Sequence, residues 1–191
     1  MNFDFFFERL LEKEGAYSNH RTDRGGETVC GISRNNHPYW LGWELIDKIK
    51  KKYIKRGYIE QVILSSPSLR EKVKHFYYNY YFKKNNLHKI KDIDIAEYVF
   101  DMSVNVGGVK ASKILQTSIN LAGRKRLVVD GRTGPKTLRA LHSAIKKDSI
   151  TKYILIKCLS GELYAHYKSI IINDSSQSVF FRGWINKRVS L

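Results

Sequence analysis

Four side chains near the start of the chain have the types and spacing for proton-transfer chemistry: Glu14, Asp23, Glu27 and the hydroxyl-bearing Thr28. Glu14 follows apolar residues at Phe3, Phe6, Phe7, Leu10 and Leu11, whose spacing is that of one helical face, and so it falls at a helix C-terminus. There the macrodipole disfavours a negative charge, which suits a carboxyl group to giving up its proton. Asp23 lies nine positions on, in a polar, glycine-flanked stretch where ionisation is easy. Two carboxyl groups held in opposite states are what cleavage of a glycosidic bond requires. One protonates the leaving oxygen, and the other, at about 6.5–9.5 Å in inverting enzymes, activates a water on the opposite face of the sugar. Thr28 is a candidate to help hold that water. Glu27 rivals Asp23, because it can orient loop amides, bind sugar hydroxyls or position the water itself, and spacing does not separate these roles.

These groups need elements to carry them. The first helix is expected to close at Gly15, read as a left-handed C-cap. From Ala16 to Asn36 the chain is polar and holds Gly25, Gly26 and Gly31, which predicts a loop or small hairpin. Downstream, Pro67 suits a first helical turn and Ser68/Glu71 has capping-box spacing, ahead of a face made by Leu69, Val73, Phe76, Tyr77 and Tyr80. Helical series recur at Ile95, Val99 and Met102, at Ala111, Ile114, Leu115, Ser118, Ile119 and Ala122, and at Ile150, Tyr153, Ile154, Lys157 and Cys158. Leu127 to Gly131 reads as a lead into a turn, with Thr133 and Pro135 opening a helix through Leu138 and Leu141. The fold class is mainly α.

Composition narrows the classes further. The 191 residues are 42% hydrophobic and 13% aromatic, too apolar for a disordered chain, and only three prolines occur. Cys30 and Cys158 are too few for a disulfide framework and are expected as free thiols. The six histidines form no His-Glu-x-x-His pattern and no Gly-rich phosphate loop is present, so neither metal nor cofactor is expected. The N-terminal apolar run has no basic region before it and meets Glu12, Lys13 and Glu14 too soon for a signal peptide or membrane span. With 34 Lys and Arg against 18 Asp and Glu the net charge is +16, which points to an anionic partner. The densest run, Lys48 to Arg56, reads as a solvated helix face.

Glu14-Gly15-Ala16-Tyr17, then Gly25-Gly26-Glu27-Thr28 and Gly31-Ile32, resembles the opening of glycoside hydrolase family 108, with Ala16 in place of a second glycine. Phage-type lysozymes share the order of Glu, Asp and Thr. The stretch Asp101 to Gly107, then Leu115-Gln116, then Val129 to Thr137, and finally Phe181-Arg182-Gly183-Trp184 with Arg188, resembles the peptidoglycan-binding region that accompanies the family.

The resemblance implies a lysozyme-like helical fold in which residues 1–92 form the muramidase region and residues 93–191 a helical binding region, packed as one compact unit. It implies cleavage of the β-1,4 bond between N-acetylmuramic acid and N-acetylglucosamine, with Glu14 as general acid, Asp23 or Glu27 handling water and Thr28 in support. Tyr17, Glu27, Asn105, Gln116, Asp130, Arg132 and Trp184 are the expected substrate contacts. The expected partner is peptidoglycan, reached by a monomer made in the cytoplasm without a signal peptide and released by holin-type or other non-Sec export. Neither nucleic acid nor membrane insertion is expected. The role implied is phage-type lysis or secretion of a toxin through the wall, and a binding protein of the same fold without activity is the alternative.

Overall fold

A computed structural model describes residues 2–19, 26–53, 56–124 and 126–189, and among these it holds nine α-helices and one small antiparallel sheet. They group into two compact units, Asn2–Asn79 and Tyr80–Leu191.

The first unit begins with α1 (Phe3–Lys13), where the side chain of Asn2 accepts a hydrogen bond from the Asp4 amide. Phe3, Phe6, Phe7 and Leu10 bury their side chains, as the spacing requires. The helix does not end through a left-handed Gly15. Glu14 itself is the C-cap in extended conformation, and its N–H still donates to the Leu10 carbonyl at 3.1 Å. Three two-residue strands follow: β1 (Tyr17–Ser18), β2 (Thr28–Val29) and β3 (Ile32–Ser33), paired in that order. The register sets Tyr17 opposite Val29, Ser18 and Ser33 opposite Thr28, and Val29 opposite Ile32. Between β2 and β3 only Cys30 and Gly31 turn the chain, at φ 47° and 79°, the paired positive values a type I′ turn needs.

Helices α2 (Trp43–Lys52), α3 (Arg56–Ser65) and α4 (Pro67–Tyr77) complete this unit. The N-cap of α4 is Ser66, whose side chain accepts from the Leu69 amide, rather than the expected Ser68 box, because Pro67 already occupies the first turn. Leu69, Val73, Phe76 and Tyr77 are buried along one face. Tyr80 is 53% exposed, contrary to the expected row. A π-helical segment, Tyr78–Lys83, takes over after α4, and its wider turn rotates later side chains off that face.

In the second unit α5 (Ile93–Val106) is capped by Asp92, α6 (Gly108–Gly123) packs against α5, α7 (Pro135–Lys147) and α8 (Ser149–Asn173), and α9 (Ser178–Arg188) packs against α8. The series read in α5, α6 and α7 are buried as expected at Ile95, Val99, Met102, Ala111, Ile114, Leu115, Ile119, Leu138 and Leu141. The face read in α8 is not. Thr151, Leu155, Leu159, Leu163 and Tyr167 are buried, whereas Ile150, Tyr153 and Ile154 are exposed. Apolar residues occur all round α8, so periodicity alone had no single phase to report.

Candidate active site

The Glu14 side chain is half-buried at the mouth of the β2–β3 turn. Its carboxylate lies against Gly31: a β-carbon built on that glycine would stand 2.8 Å from Glu14 Oε2 and 2.6 Å from the Tyr77 hydroxyl. No side chain larger than hydrogen fits there. The Tyr77 hydroxyl, fully buried, donates to the Cys30 carbonyl at 2.6 Å and so pins the turn from α4. The neighbouring Cys30 amide donates to the Ala16 carbonyl at 3.0 Å, tying the turn to the residue two past the acid. Ala16 is not among the residues with positive φ, so its side chain costs nothing at the position where the family carries glycine. Burial, and then the charge of Glu14, push the Cys30 thiol up to about 11.

Glu27 is buried, and its carboxylate is fully engaged. The Tyr17 hydroxyl donates to Oε1 at 2.9 Å, Lys50 Nζ pairs with Oε1 at 2.8 Å, and Arg34 Nε pairs with Oε2 at 2.8 Å without hydrogen-bond alignment. Arg34 continues through a bidentate contact with Asp47 and lies over the Trp43 ring at 4.4 Å. The hydrogen bond to Arg34, ahead of other charges, holds the Asp47 carboxyl below the usual range. Sequence reasoning missed Arg34 and Lys50. Lys50 was hidden in a uniform basic run, where nothing marks the one lysine that reaches a buried carboxylate.

Of the other N-terminal candidates, Tyr17 is buried. Burial, and then its bond to Glu27, push its hydroxyl up to about 12, so its ring is packing and its oxygen orients Glu27. Thr28 is central in the sheet and its hydroxyl donates to the Gly26 carbonyl at 3.2 Å, which leaves the oxygen able to accept. Asp23 lies outside the described residues. Glu14, Gly31, Tyr77 and the turn therefore form one cluster, and Glu27 with Tyr17, Arg34 and Lys50 a second, joined by the strands that carry them.

The C-terminal candidates fall into two groups in their own unit. Gln116 is 2% exposed and spends its amide inside the fold: the two N–H groups of Nε2 are shared among Asp130 Oδ1 at 2.7 Å, the Arg132 carbonyl at 3.1 Å and Thr137 Oγ1 at 3.1 Å, while Oε1 accepts from the Gly131 amide at 2.9 Å. It holds the Asp130 to Thr133 loop and does not present itself to solvent. Asp130 and Arg132 are exposed on that loop, and the bond from Gln116 keeps the Asp130 carboxyl below its ordinary range. The second group is Asn105, whose Oδ1 accepts from the buried Tyr167 hydroxyl at 2.6 Å, and Trp184, half-buried and stacked on Tyr167 at 5.0 Å and on Phe180 at 6.1 Å. Both cysteines are free thiols. Among the described residues no three His, Cys, Asp or Glu side chains cluster as metal ligands, and no helix is long and apolar enough to cross a membrane.

Two family models match along the chain. Residues 7–107 match the family model described as Glycosyl hydrolase 108, and residues 110–189 match one described as Predicted Peptidoglycan domain. No curated protein gives a significant match. Among solved structures the chain is similar to that of Brucella abortus SagA, at 20% identity over 97% of this chain and 88% of that one, with a TM-score of 0.63. At that identity the likeness bears on the fold alone. The mainly helical, lysozyme-like fold expected from the sequence is the fold observed, with the C-terminal helices lying in the region matched as a peptidoglycan domain.

Proposed function

Because the chain belongs to the Glycosyl hydrolase 108 family, and is thus a glycoside hydrolase acting on peptidoglycan, we propose that it cuts the β-1,4 bond from N-acetylmuramic acid to N-acetylglucosamine. The observation that carries this reading is Glu14, a half-buried carboxyl group at the end of α1, held against Gly31. In the reaction Glu14 gives its proton to the glycosidic oxygen as the bond to the anomeric carbon breaks. A water attacks that carbon from the opposite face and loses its proton to Asp23. Glu27 is poorly suited to the base role, since three donors already hold its carboxylate, and it is better used to brace the sheet. The Thr28 oxygen accepts a hydrogen bond from the water. This arrangement inverts the anomeric configuration.

The second region, whose start the sequence motifs set at residue 93, would hold the wall polymer through exposed groups such as Asp130 and Arg132. The excess of 34 basic over 18 acidic residues draws the enzyme to anionic envelopes. In this reading the enzyme is made in the cytoplasm, reaches the wall by holin-type or other non-Sec export, and serves phage-type lysis or secretion through the wall.

Digestion of purified peptidoglycan by the wild type and by Glu14→Gln tests the proposal, with borohydride-reduced products identified by mass spectrometry. Muramitol-ended fragments from the wild type alone are expected. Glucosaminitol ends would assign the other bond, and a retained anomer in an NMR time course would exclude inversion.

A further inference from the structure

The second unit contains a cavity of about 440 Å³ where the end of α6, the α7–α8 junction and the start of α8 converge. That volume lies within the roughly 300–1,000 Å³ usual for small-ligand sites. None of the residues that line it was among the expected substrate contacts.

One wall is apolar and small: Ala122 and Ala144, with Ile150 and Ile154 beside them. Ile150 is 67% and Ile154 41% exposed, although Leu155 and Leu159 on the same helix are completely buried. Covering those two isoleucines with a ligand's methyl groups is favourable by the same hydrophobic term that buries the core. The other wall is charged. Arg124 ends α6 in the left-handed conformation, at φ 48° and ψ 44°, where a glycine or asparagine is the unstrained choice. Strained backbone of this kind tends to mark functional positions. The guanidinium of Arg124 has no ion-pair partner among the described residues, while exposed Asp148, which caps α8 through the Thr151 amide, adds a negative charge to the lining.

A ligand that satisfies all of this carries a carboxylate, small methyl side chains and an amino group within a few residues. Sugar rings are gripped by aromatic faces, and among the described residues no aromatic side chain lines the cavity. Alanine-rich peptides with free carboxylates and a diamino acid have the matching pattern, and these are the stem peptides of peptidoglycan. We propose that this cavity binds the stem peptide, with Arg124 on its carboxylate, Asp148 toward its amine and the alanyl methyl groups on Ala144 and Ile154. This deepens the proposed reading of the chain and rests on it. The second unit would then tell peptide-bearing strands from bare glycan.

The test is calorimetric titration of the full chain carrying Glu14→Gln with three probes: a disaccharide tetrapeptide, the free tetrapeptide and the peptide-free disaccharide. Free and disaccharide-linked tetrapeptide are expected to bind alike. Adding Arg124→Glu, an exposed substitution that leaves packing untouched, should weaken both by roughly tenfold or more, since a charge-assisted contact is replaced by repulsion. Ala144→Phe, which fills the cavity, should do the same if its circular dichroism matches the parent. No binding of the tetrapeptide, or unchanged affinity in Arg124→Glu, overturns the proposal. Release of muramitol-ended products from intact peptidoglycan by the wild type is followed in parallel: its absence would count against the bond assignment, while the tetrapeptide titrations decide the cavity.

Discussion

Glu14 and Gly31 are in such close contact that a single added methyl group on the glycine would come within 2.8 Å of the acid's Oε2. Gly31 is thus required twice, once by its φ of 79° and once by the space it leaves for a carboxylate. Gly31→Ala is expected to cost about 1–2 kcal/mol of stability from the left-handed conformation. Its effect on turnover should be larger, about 10²-fold, because the displaced carboxyl group no longer meets the scissile oxygen. Chemical denaturation and reducing-end release on the same protein separate the two effects.

Glu14→Gln keeps the shape of the side chain and removes its proton chemistry. Peptidoglycan hydrolysis should fall by roughly 10²–10⁴-fold, the usual worth of a general acid, while the melting temperature and wall binding stay near those of the wild type. A pull-down on intact walls together with a turbidity assay checks both halves.

Glu27→Gln should act mainly on stability. It weakens contacts to Lys50 and Arg34, and the expected loss is about 1–3 kcal/mol, toward the lower end because both cations are about one-third exposed and screened by water. A double-mutant cycle with Arg34→Met should return a coupling energy, measured by urea midpoints. A fully folded Glu27→Gln variant with no activity would instead give Glu27 a role in the chemistry.

The Cys30 thiol titrates near 11 in the fold because of burial and then Glu14, against 9.0 for an ordinary thiol. Its neutral form is the one the fold favours, so its contribution is complete below pH 9 and is lost as pH rises toward 11. Folding stability should decline over that window by about 2 kcal/mol more in the wild type than in Cys30→Ala, with no difference in slope below pH 9.

Gln116→Leu removes a buried amide with contacts to Asp130, Gly131, Arg132 and Thr137. The stranded Gly131 amide should cost about 1–3 kcal/mol, Thr137 keeping its bond to the Arg132 carbonyl, and amide exchange at residues 130–133 should speed up before the rest of the unit responds.

The parts of this architecture that were legible in the sequence are those fixed by local pattern. α1 shows its phase because Phe3, Phe6, Phe7 and Leu10 form a single stripe, and the same stripe puts Glu14 at its end. The strands are two residues each, too short for an alternation to show, so only glycine content announced a hairpin. Tyr80 left its expected face because a π-helical segment changes the residues per turn, which propensity does not reveal. The closest neighbours of the acid were the least legible. The Tyr77 hydroxyl reaches the Cys30 carbonyl from 47 residues away, and Lys50 finds Glu27 only through the packing of α2 beside the sheet.

The buried pair of Asp101 and Arg188, 2.5 Å apart and separated by 87 residues, has a consequence for a chain still on the ribosome. A carboxylate withdrawn from water without its cation is disfavoured by several kcal/mol. At about 5–20 residues per second, roughly 4–17 s of translation separate the two. Throughout that interval the ion pair cannot form, so this contact of the C-terminal unit closes only as α9 emerges, whereas the hydrogen bonds and ion pairs described around Glu14 and Glu27 have their partners long before.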